Sequence, residues 1–262
     1  MSNDYLLVGH FTKDLKEKGF ALGGSVYYSG IIAKKLGEKV KIITSFGPDI
    51  SPEKVLEGFK IVNIPSSQTT TFLNVYKKGK RTQFLFKKAK KISPFCLTND
   101  WQGSKVIHLA PVAQEINEKL FFLFKDSFLG ASLQGLLRKK GKRGEVKFNL
   151  WKNYKKCLPL VQAAILSEED IKRNFALAKE MSKFSKILVL TLGEKGCQVF
   201  SKGKTKCFGT KKLKIVDTTG AGDTFAAAFL INFQKTKNPC KSAAFANSIA
   251  YSFLKNKLTD IS

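Results

Sequence analysis

Residues 216–225 read VDTTGAGDTF and run directly into the apolar stretch AAAFLINF. Glycine weakens a helix from within, so two glycines and an alanine between two aspartates belong at a helix start. Small residues there let the backbone N–H groups of Gly220, Ala221 and Gly222 converge on one point, where unsatisfied donors and the helix dipole favour an anion. A carboxylate beside such a nest is electrostatically unfavourable unless it has chemistry to do. Accepting a proton from a hydroxyl that attacks phosphorus suits Asp223. Capping of a turn and a helix by Asp217 and Asp223 accounts for the aspartates but not for the small residues between them. Two shorter readings fail on spacing. As a dinucleotide loop the string has Phe225 where the third glycine belongs. As a P-loop, GKT at 203–205 fails because six residues separate Gly196 from Gly203, where four are required.

Outward from this string the chain alternates between strand and helix. YLLVGH (5–10) reads as a strand, LGG (22–24) as a loop, and SVYYSGIIAKKLG as a helix closed by glycine. KVKIITSFG (39–47) follows as a strand, SPEKVLEGF (51–59) as a helix with a serine cap and an early proline, and KIVNI (60–64) as a strand. This order argues for a parallel sheet with helices on its faces. TTTFLNVYKKGKRTQFLFKK (69–88) departs from it as a hairpin outside the alternating core. KVIHLAP (105–111), AQEINEKLFFLFK (113–125), DSFLGAS (126–132), EVKFNLW (145–151), AAILSEEDI (163–171), the helical NFALAKEMSKF (174–184) and KILVLTLG (186–193) resume the alternation. GCQVFSKGKTKCFG (196–209) reads as a second hairpin, and AGDTFAAAFLINFQK (221–235) and PCKSAAFANSIAYSFLK (239–255) as closing helices. With no internal repeat or low-complexity linker, the expectation is one domain over 1–262.

DTTGAGD at 217–223 resembles the C-terminal motif of the ribokinase-like, or PfkB-type, carbohydrate kinases. VGHFTKDL (8–15) and LGGSVYYSGIIAKKLG (22–37) resemble the family's N-terminal features, and the order of elements matches along nearly the whole chain. The resemblance implies a three-layer α/β/α sandwich with a mostly parallel central sheet and a small β lid, here 11–22 with 69–88. It implies transfer of the γ-phosphoryl of ATP to a hydroxyl of a small sugar, cyclitol or nucleoside, with Asp223 as base and 220–222 as anion hole. Asp14, Gly23, Gly24 and Tyr28 would contact that substrate. Tyr28 stands where ribokinase has an asparagine, which points away from ribokinase in the narrow sense. On the nucleotide side the resemblance places Thr191, Gly193, Gly196, Asp217, Thr218 and Asn247. SEEDI (167–171) falls where the family shows Asn-x-x-Glu, with Ser167 for the asparagine and Asp170 for the glutamate; Asp170 and Glu168 are the candidate magnesium residues. ATP and Mg²⁺ are the implied cofactors, and the resemblance is compatible with a monovalent cation and a homodimer. GASLQGLLR (130–138) is a candidate pocket wall.

The altered SEED segment motivates a rival, a noncatalytic ligand-binding or regulatory member of the fold, although both motif aspartates are intact. Net charge motivates another. The 262 residues carry 46 Lys and Arg against 20 Asp and Glu, a formal charge of +26, which raises nucleic acid as a partner. Only Arg81, Arg138, Arg143 and Arg173 are arginines, whereas readers of base edges and phosphates favour the bidentate guanidinium. The clusters KKGKR (77–81), KKAKK (87–91), RKKGKR (138–143) and KKLK (211–214) scatter along the chain, so the lysines read as a solvated surface. Five cysteines without a C-x-x-C pair suggest neither a disulfide framework nor a zinc site. The absence of a membrane-length apolar run and of a leader-like start predicts a soluble cytoplasmic protein.

Overall fold

The computed structural model describes residues 4–77, 80–97, 101–213 and 217–259. The hairpin turn at 78–79, Lys214 of the last basic cluster and Val216 at the head of the motif lie outside them. The first part of the chain forms β1 (Asp4–Val8), β2 (Thr12–Leu15), β3 (Phe20–Gly23), α1 (Ser25–Lys35), β4 (Lys39–Thr44) and β5 (Lys60–Asn63). The long hairpin β6 (Thr70–Lys77) and β7 (Lys80–Lys87) follows. Next come β8 (Val106–Leu109), α2 (Lys119–Leu123), β9 (Leu129–Ser132), β10 (Arg138–Lys140), β11 (Val146–Phe148) and α3 (Tyr154–Cys157). The last third holds β12 (Ala163–Ser167), α4 (Phe175–Ser182), β13 (Ile187–Thr191), β14 (Cys197–Ser201), β15 (Lys204–Phe208), α5 (Ala221–Thr236) and α6 (Pro239–Thr259).

Nine strands form the central sheet in the order β15-β14-β13-β12-β9-β8-β1-β4-β5. It is parallel from β13 to β5, and the β14–β15 hairpin adds an antiparallel edge. Successive side chains of a strand face opposite ways, so a sheet covered on both faces needs apolar residues at nearly every position. In β1, Tyr5 and Leu7 enter one core with α1, α5 and α6, while Leu6 and Val8 enter the other with α2, α3 and α4. The architecture is the expected α/β/α sandwich. α5 is buried along most of its length, from Thr224 to Ile231, which is why AAAFLINF shows no polar stripe. Among the described residues no helix is long and apolar enough to cross a membrane.

A separate four-stranded sheet, β3-β2-β6-β7, joins the two segments expected outside the core. β2 runs parallel to β6 and antiparallel to β3. Its junction with the core is polar and buried: His10 Nδ1 meets Thr70 Oγ1 at 2.7 Å and Nε2 meets the Lys90 carbonyl at 2.8 Å. Burial lowers the His10 pKa, so the ring stays neutral and can hold both bonds with one proton.

Three sequence expectations are corrected. SPEKVLEGF makes a single 3₁₀ turn, Pro52–Lys54, rather than a helix. Val55 is 59% exposed while Leu56 is buried, so no apolar face exists to anchor further turns, and Gly58 at φ 78° ends the segment. EVKFNLW does not join the core: β11 pairs antiparallel with β10 as a two-stranded sheet. Its half-buried and exposed alternation, with Lys147 outward, cannot fill a position covered on both faces. AQEINEKLFFLFK supplies only the short α2, because buried Glu115 accepts from the amides of His10, Val112 and Ala113 and holds that stretch as a loop.

Candidate active site

A cavity of about 480 Å³ opens at the C-terminal ends of the parallel strands, between the central sheet, the small sheet and the start of α5. Gly220, Ala221, Gly222 and Asp223 line it, as do Asp14, Gly24, Tyr28, Thr191, Gly193, Gly196, Thr218, Asn247, Glu168 and Asp170. Gly23 and Asp217 lie just outside its lining. The cavity thus gathers residues from both ends of the chain.

The α5 start is built around Gly220, which precedes the helix at φ 87°, ψ −9°, a left-handed conformation open to glycine. A β-carbon there would also come within 2.4 Å of Tyr28 Cδ1. The Ala221 amide turns back to the Thr218 carbonyl at 3.1 Å, and the first i→i−4 bond runs from Thr224 to Gly220. The amides of Gly222 and Asp223 therefore have no intrahelical acceptor. Tyr28 buttresses this turn, packed edge-on against Phe253 with centroids 6.2 Å apart and with Lys257 Nζ 6.0 Å from its ring centre. Burial and the neighbouring Asp14, Asp223 and Asp217 raise its hydroxyl pKa, keeping it protonated.

The Asp223 carboxyl rises from 3.8 to about 6, chiefly through burial, with Asp170 and Asp14 pushing the same way. A hydrogen bond from the Ser25 side chain and the Arg138 charge oppose the rise. Ser29 Oγ donates to the Asp223 carbonyl at 3.0 Å and fixes the helix start to α1. Asp14 accepts from Thr12 Oγ1 at 3.0 Å. The absent Cβ of Gly23 makes room for it, since a methyl would stand 2.6 Å from Asp14 Oδ2.

Asp170 is tightly engaged. It forms an ion pair with Arg138 Nη2 at 3.3 Å and accepts from the Ser167 amide at 2.9 Å, while Ser167 Oγ accepts from its own amide at 3.2 Å. Arg138 Nη1 also donates to Gln83 Oε1 of β7 at 3.1 Å, and Gln83 Nε2 donates to Asn74 Oδ1 at 3.1 Å. A polar chain thus runs from the small sheet to the loop after β12. Glu168 is half-buried, with Arg173 Nε 3.7 Å from its carboxylate. No group of three or more His, Cys, Asp or Glu side chains among the described residues could hold a metal by itself. Asp217 is a clamp: the Thr219 amide donates to it at 2.9 Å and Lys257 Nζ at 3.1 Å. Burial raises its pKa, but these bonds outweigh that and bring it to about 2. Asn247 donates to the carbonyls of Phe208 and Gly209, both at 3.1 Å, and pins the end of β15 beside the cavity. Ala250, Tyr251 and Leu254 of α6 extend that end as an apolar wall.

Ser25, Gln83, Ser132 and Arg138 line the cavity without having been singled out as site residues. GASLQGLLR does form part of its wall, through Ser132, Gln134 and Arg138. Two basic clusters that are far apart in sequence meet in space: Lys87 and Lys88 border a second hollow of about 140 Å³ together with Lys139 and Lys140.

The parallel sheet, the β side-sheet and the strand-end cavity at the start of α5 define a ribokinase-like fold. Residues 152–261 match the model of the pfkB family carbohydrate kinases. The chain is 25% identical to a ribokinase of Lactococcus lactis over 203 residues, covering 73% of this chain and 65% of the relative. It is 35% identical to a probable fructokinase-5 of Arabidopsis thaliana over 74 residues, covering 28% of this chain and 23% of the relative. It therefore spans less than two thirds of the length of both. A pyrophosphate-dependent kinase of the ribokinase family, complexed with a pyrophosphate analog and myo-inositol, superposes with a TM-score of 0.84 at 24% identity, over 96% of this chain and 95% of that one. The C-terminal part of the chain is thus similar to the pfkB family carbohydrate kinases, and its fold is that of the ribokinase-like kinases.

Proposed function

We propose that this protein transfers a phosphoryl group from ATP to a hydroxyl of a small polyol such as a sugar or cyclitol. The observation that carries the reading is the meeting, in one cavity, of a carboxyl raised to about 6 and an anion nest at the same helix start, with Asp14 facing them from the small sheet. Asp14 would accept hydrogen bonds from acceptor hydroxyls. Asp223, ionised near neutral pH, would take the proton of the attacking hydroxyl. As that oxygen bonds to the γ-phosphorus, the bridging P–O bond breaks and ADP carries the electron pair away. The free amides at the start of α5 would stabilise the charge on the transferring group. Ala250, Tyr251 and Leu254 offer an apolar surface to an adenine ring, next to the end pinned by Asn247.

The cavity's carboxylates fit a Mg²⁺ ion held mainly by donor phosphates and water, with Glu168 as a candidate protein support, better than a protein cage. Asp170 is already committed to Arg138 and the Ser167 amide. When bound, the ion offsets phosphate charge. The small sheet serves as a lid whose Asp14, Phe72 and Gln83 cover the acceptor and exclude water, which would otherwise compete for the phosphoryl group.

The test is a matrix of donors (ATP, pyrophosphate) against sugars, cyclitols and nucleosides, read by phosphorylated product. Pyrophosphate is included because the relative with TM-score 0.84 uses it. Product with ATP and a polyol supports the reading. Ligand binding without product in any combination would favour the noncatalytic alternative.

A further inference from the structure

Tyr5, His108 and Ser132 sit on β1, β8 and β9, three adjacent strands of the central sheet. They form one hydrogen-bonded file through the core: Tyr5 Oη lies 3.0 Å from His108 Nδ1, and His108 Nε2 lies 2.8 Å from Ser132 Oγ. Tyr5 and His108 are fully enclosed, and Ser132 is 7% exposed, on the cavity. The phosphoryl-transfer reading makes no use of this file, yet a buried histidine bonded at both nitrogens fixes the direction of every proton in it.

Burial brings the His108 pKa to about 3, so the ring is neutral and carries one proton. Burial, with the charge of Glu38, raises the Tyr5 pKa well above its ordinary value, so Tyr5 keeps its hydrogen. Among the described residues, His108 Nδ1 is the one hydrogen-bond partner of that hydroxyl. A buried donor left unmade costs on the order of 1–3 kcal/mol. Tyr5 therefore donates to Nδ1, the ring hydrogen resides on Nε2, and Nε2 donates to Ser132 Oγ. With a lone pair occupied from behind, the hydroxyl of Ser132 is left to donate its own hydrogen on the cavity side.

The sheet order suggests what receives it. β9 lies next to β12, whose end carries Ser167 and Asp170, and one strand from β13, whose end carries Thr191 and Gly193. Asp14 belongs to β2 of the separate small sheet. A serine locked as a donor suits an oxygen that can only accept. A phosphoryl oxygen is such an atom, whereas a polyol hydroxyl both donates and accepts. We infer that Ser132 binds a phosphoryl oxygen of the donor substrate, and that Tyr5 and His108 are positioning residues that set its hydroxyl as a hydrogen-bond donor. The inference rests on the kinase reading for its ligand but not for its proton order.

Two measurements on the full chain test it. The chain has only two histidines, His10 and His108, so ¹⁵N-histidine labelling gives four ring-nitrogen resonances, assigned with His108→Gln. A protonated Nε2 with an unprotonated Nδ1 in His108 is expected; the reverse tautomer would overturn the relay. Calorimetric titration with ATP and with pyrophosphate then reads the ligand contact without turnover. Ser132→Ala is expected to weaken binding of the better donor about tenfold, and to raise its KM by the same factor with the acceptor KM unchanged. Tyr5→Phe, which alters no atom at the cavity, frees the ring to change tautomer and is expected to move the same constant in the same direction by less. Unchanged donor binding in both variants, or an effect on the acceptor KM alone, would refute the assignment. A wild-type chain that binds the donor but forms no product would refute the kinase reading while leaving the Ser132 comparison decisive. Binding of neither donor would remove both.

Discussion

Replacing Asp223 with asparagine should make the protein more stable while it abolishes most turnover. The carboxyl titrates at about 6 in the fold against an ordinary 3.8, with burial as the main cause. A folded pKa above the unfolded one means that the native state binds the proton more tightly. Stability then falls as pH rises through the window from 3.8 to about 6 and stays lowered above it. That difference in proton affinity corresponds to about 3 kcal/mol of charge-burial cost at pH 7 and above. The asparagine side chain would carry no charge, would keep an oxygen to accept from Ser25, and would relieve repulsion with Asp14 and Asp170. Urea unfolding of both proteins should show the variant ahead by roughly 2–3 kcal/mol near pH 8, with the gap closing towards pH 4. Over the same range kcat should be about a hundredfold lower or more if Asp223 is the group that takes the hydroxyl proton. The wild-type rate should fall on acidification with a midpoint near 6 rather than near an ordinary carboxyl. A variant no more stable than wild type at pH 8, or equally stabilised at both pH values, would show that the carboxylate is not desolvated. Turnover close to wild type would show that it is not the base.

Gly220→Ala should lose turnover and about 1–3 kcal/mol of stability, since its backbone is left-handed and its new methyl would meet Tyr28 Cδ1 at 2.4 Å; denaturant midpoints and kcat check this. Arg138→Met should cost about 3–5 kcal/mol by stranding the carboxylate of Asp170, whose side chain is 3% exposed. Most of that loss should return in Arg138→Met with Asp170→Asn, which keeps an acceptor for the Ser167 amide, and the double-mutant cycle measures it. If the charge of +26 is a dispersed lysine surface, duplex DNA should show no measurable binding near 0.15 M salt and a weak, sequence-independent one at low salt. Retention of tight binding at the higher salt would revive a nucleic-acid role, with the Lys87, Lys88, Lys139 and Lys140 cluster as its first candidate face.

The residues legible in the sequence were those whose chemistry is local. DTTGAGD could be read as a helix start because its turn, its small residues and its carboxylate all lie together there, so the spacing along the chain is the spacing in space. The strands from β1 to β13 were legible for a similar reason: burial on both faces demands apolar runs that turn residues interrupt. Legibility ended wherever a residue's role depends on a distant partner. Arg138 opens the string RKKGKR and is indistinguishable there from the exposed lysines that follow it. Only the fold sets it between Gln83 and Asp170, more than 30 positions away on either side. Asp217 and Asn247 illustrate the converse. Both were expected on the nucleotide side, but the bonds they make, to Thr219 and Lys257 and to the carbonyls of Phe208 and Gly209, are those of braces. Serine, histidine and tyrosine at 132, 108 and 5 carry no pattern at all in one dimension. They become a directional unit because the parallel order β9-β8-β1 stacks three strands that lie up to 127 residues apart. A helix-start motif can therefore be recognised from a few adjacent residues, whereas the neighbours that shift the Asp223 carboxyl and the file behind Ser132 are brought together only by the fold.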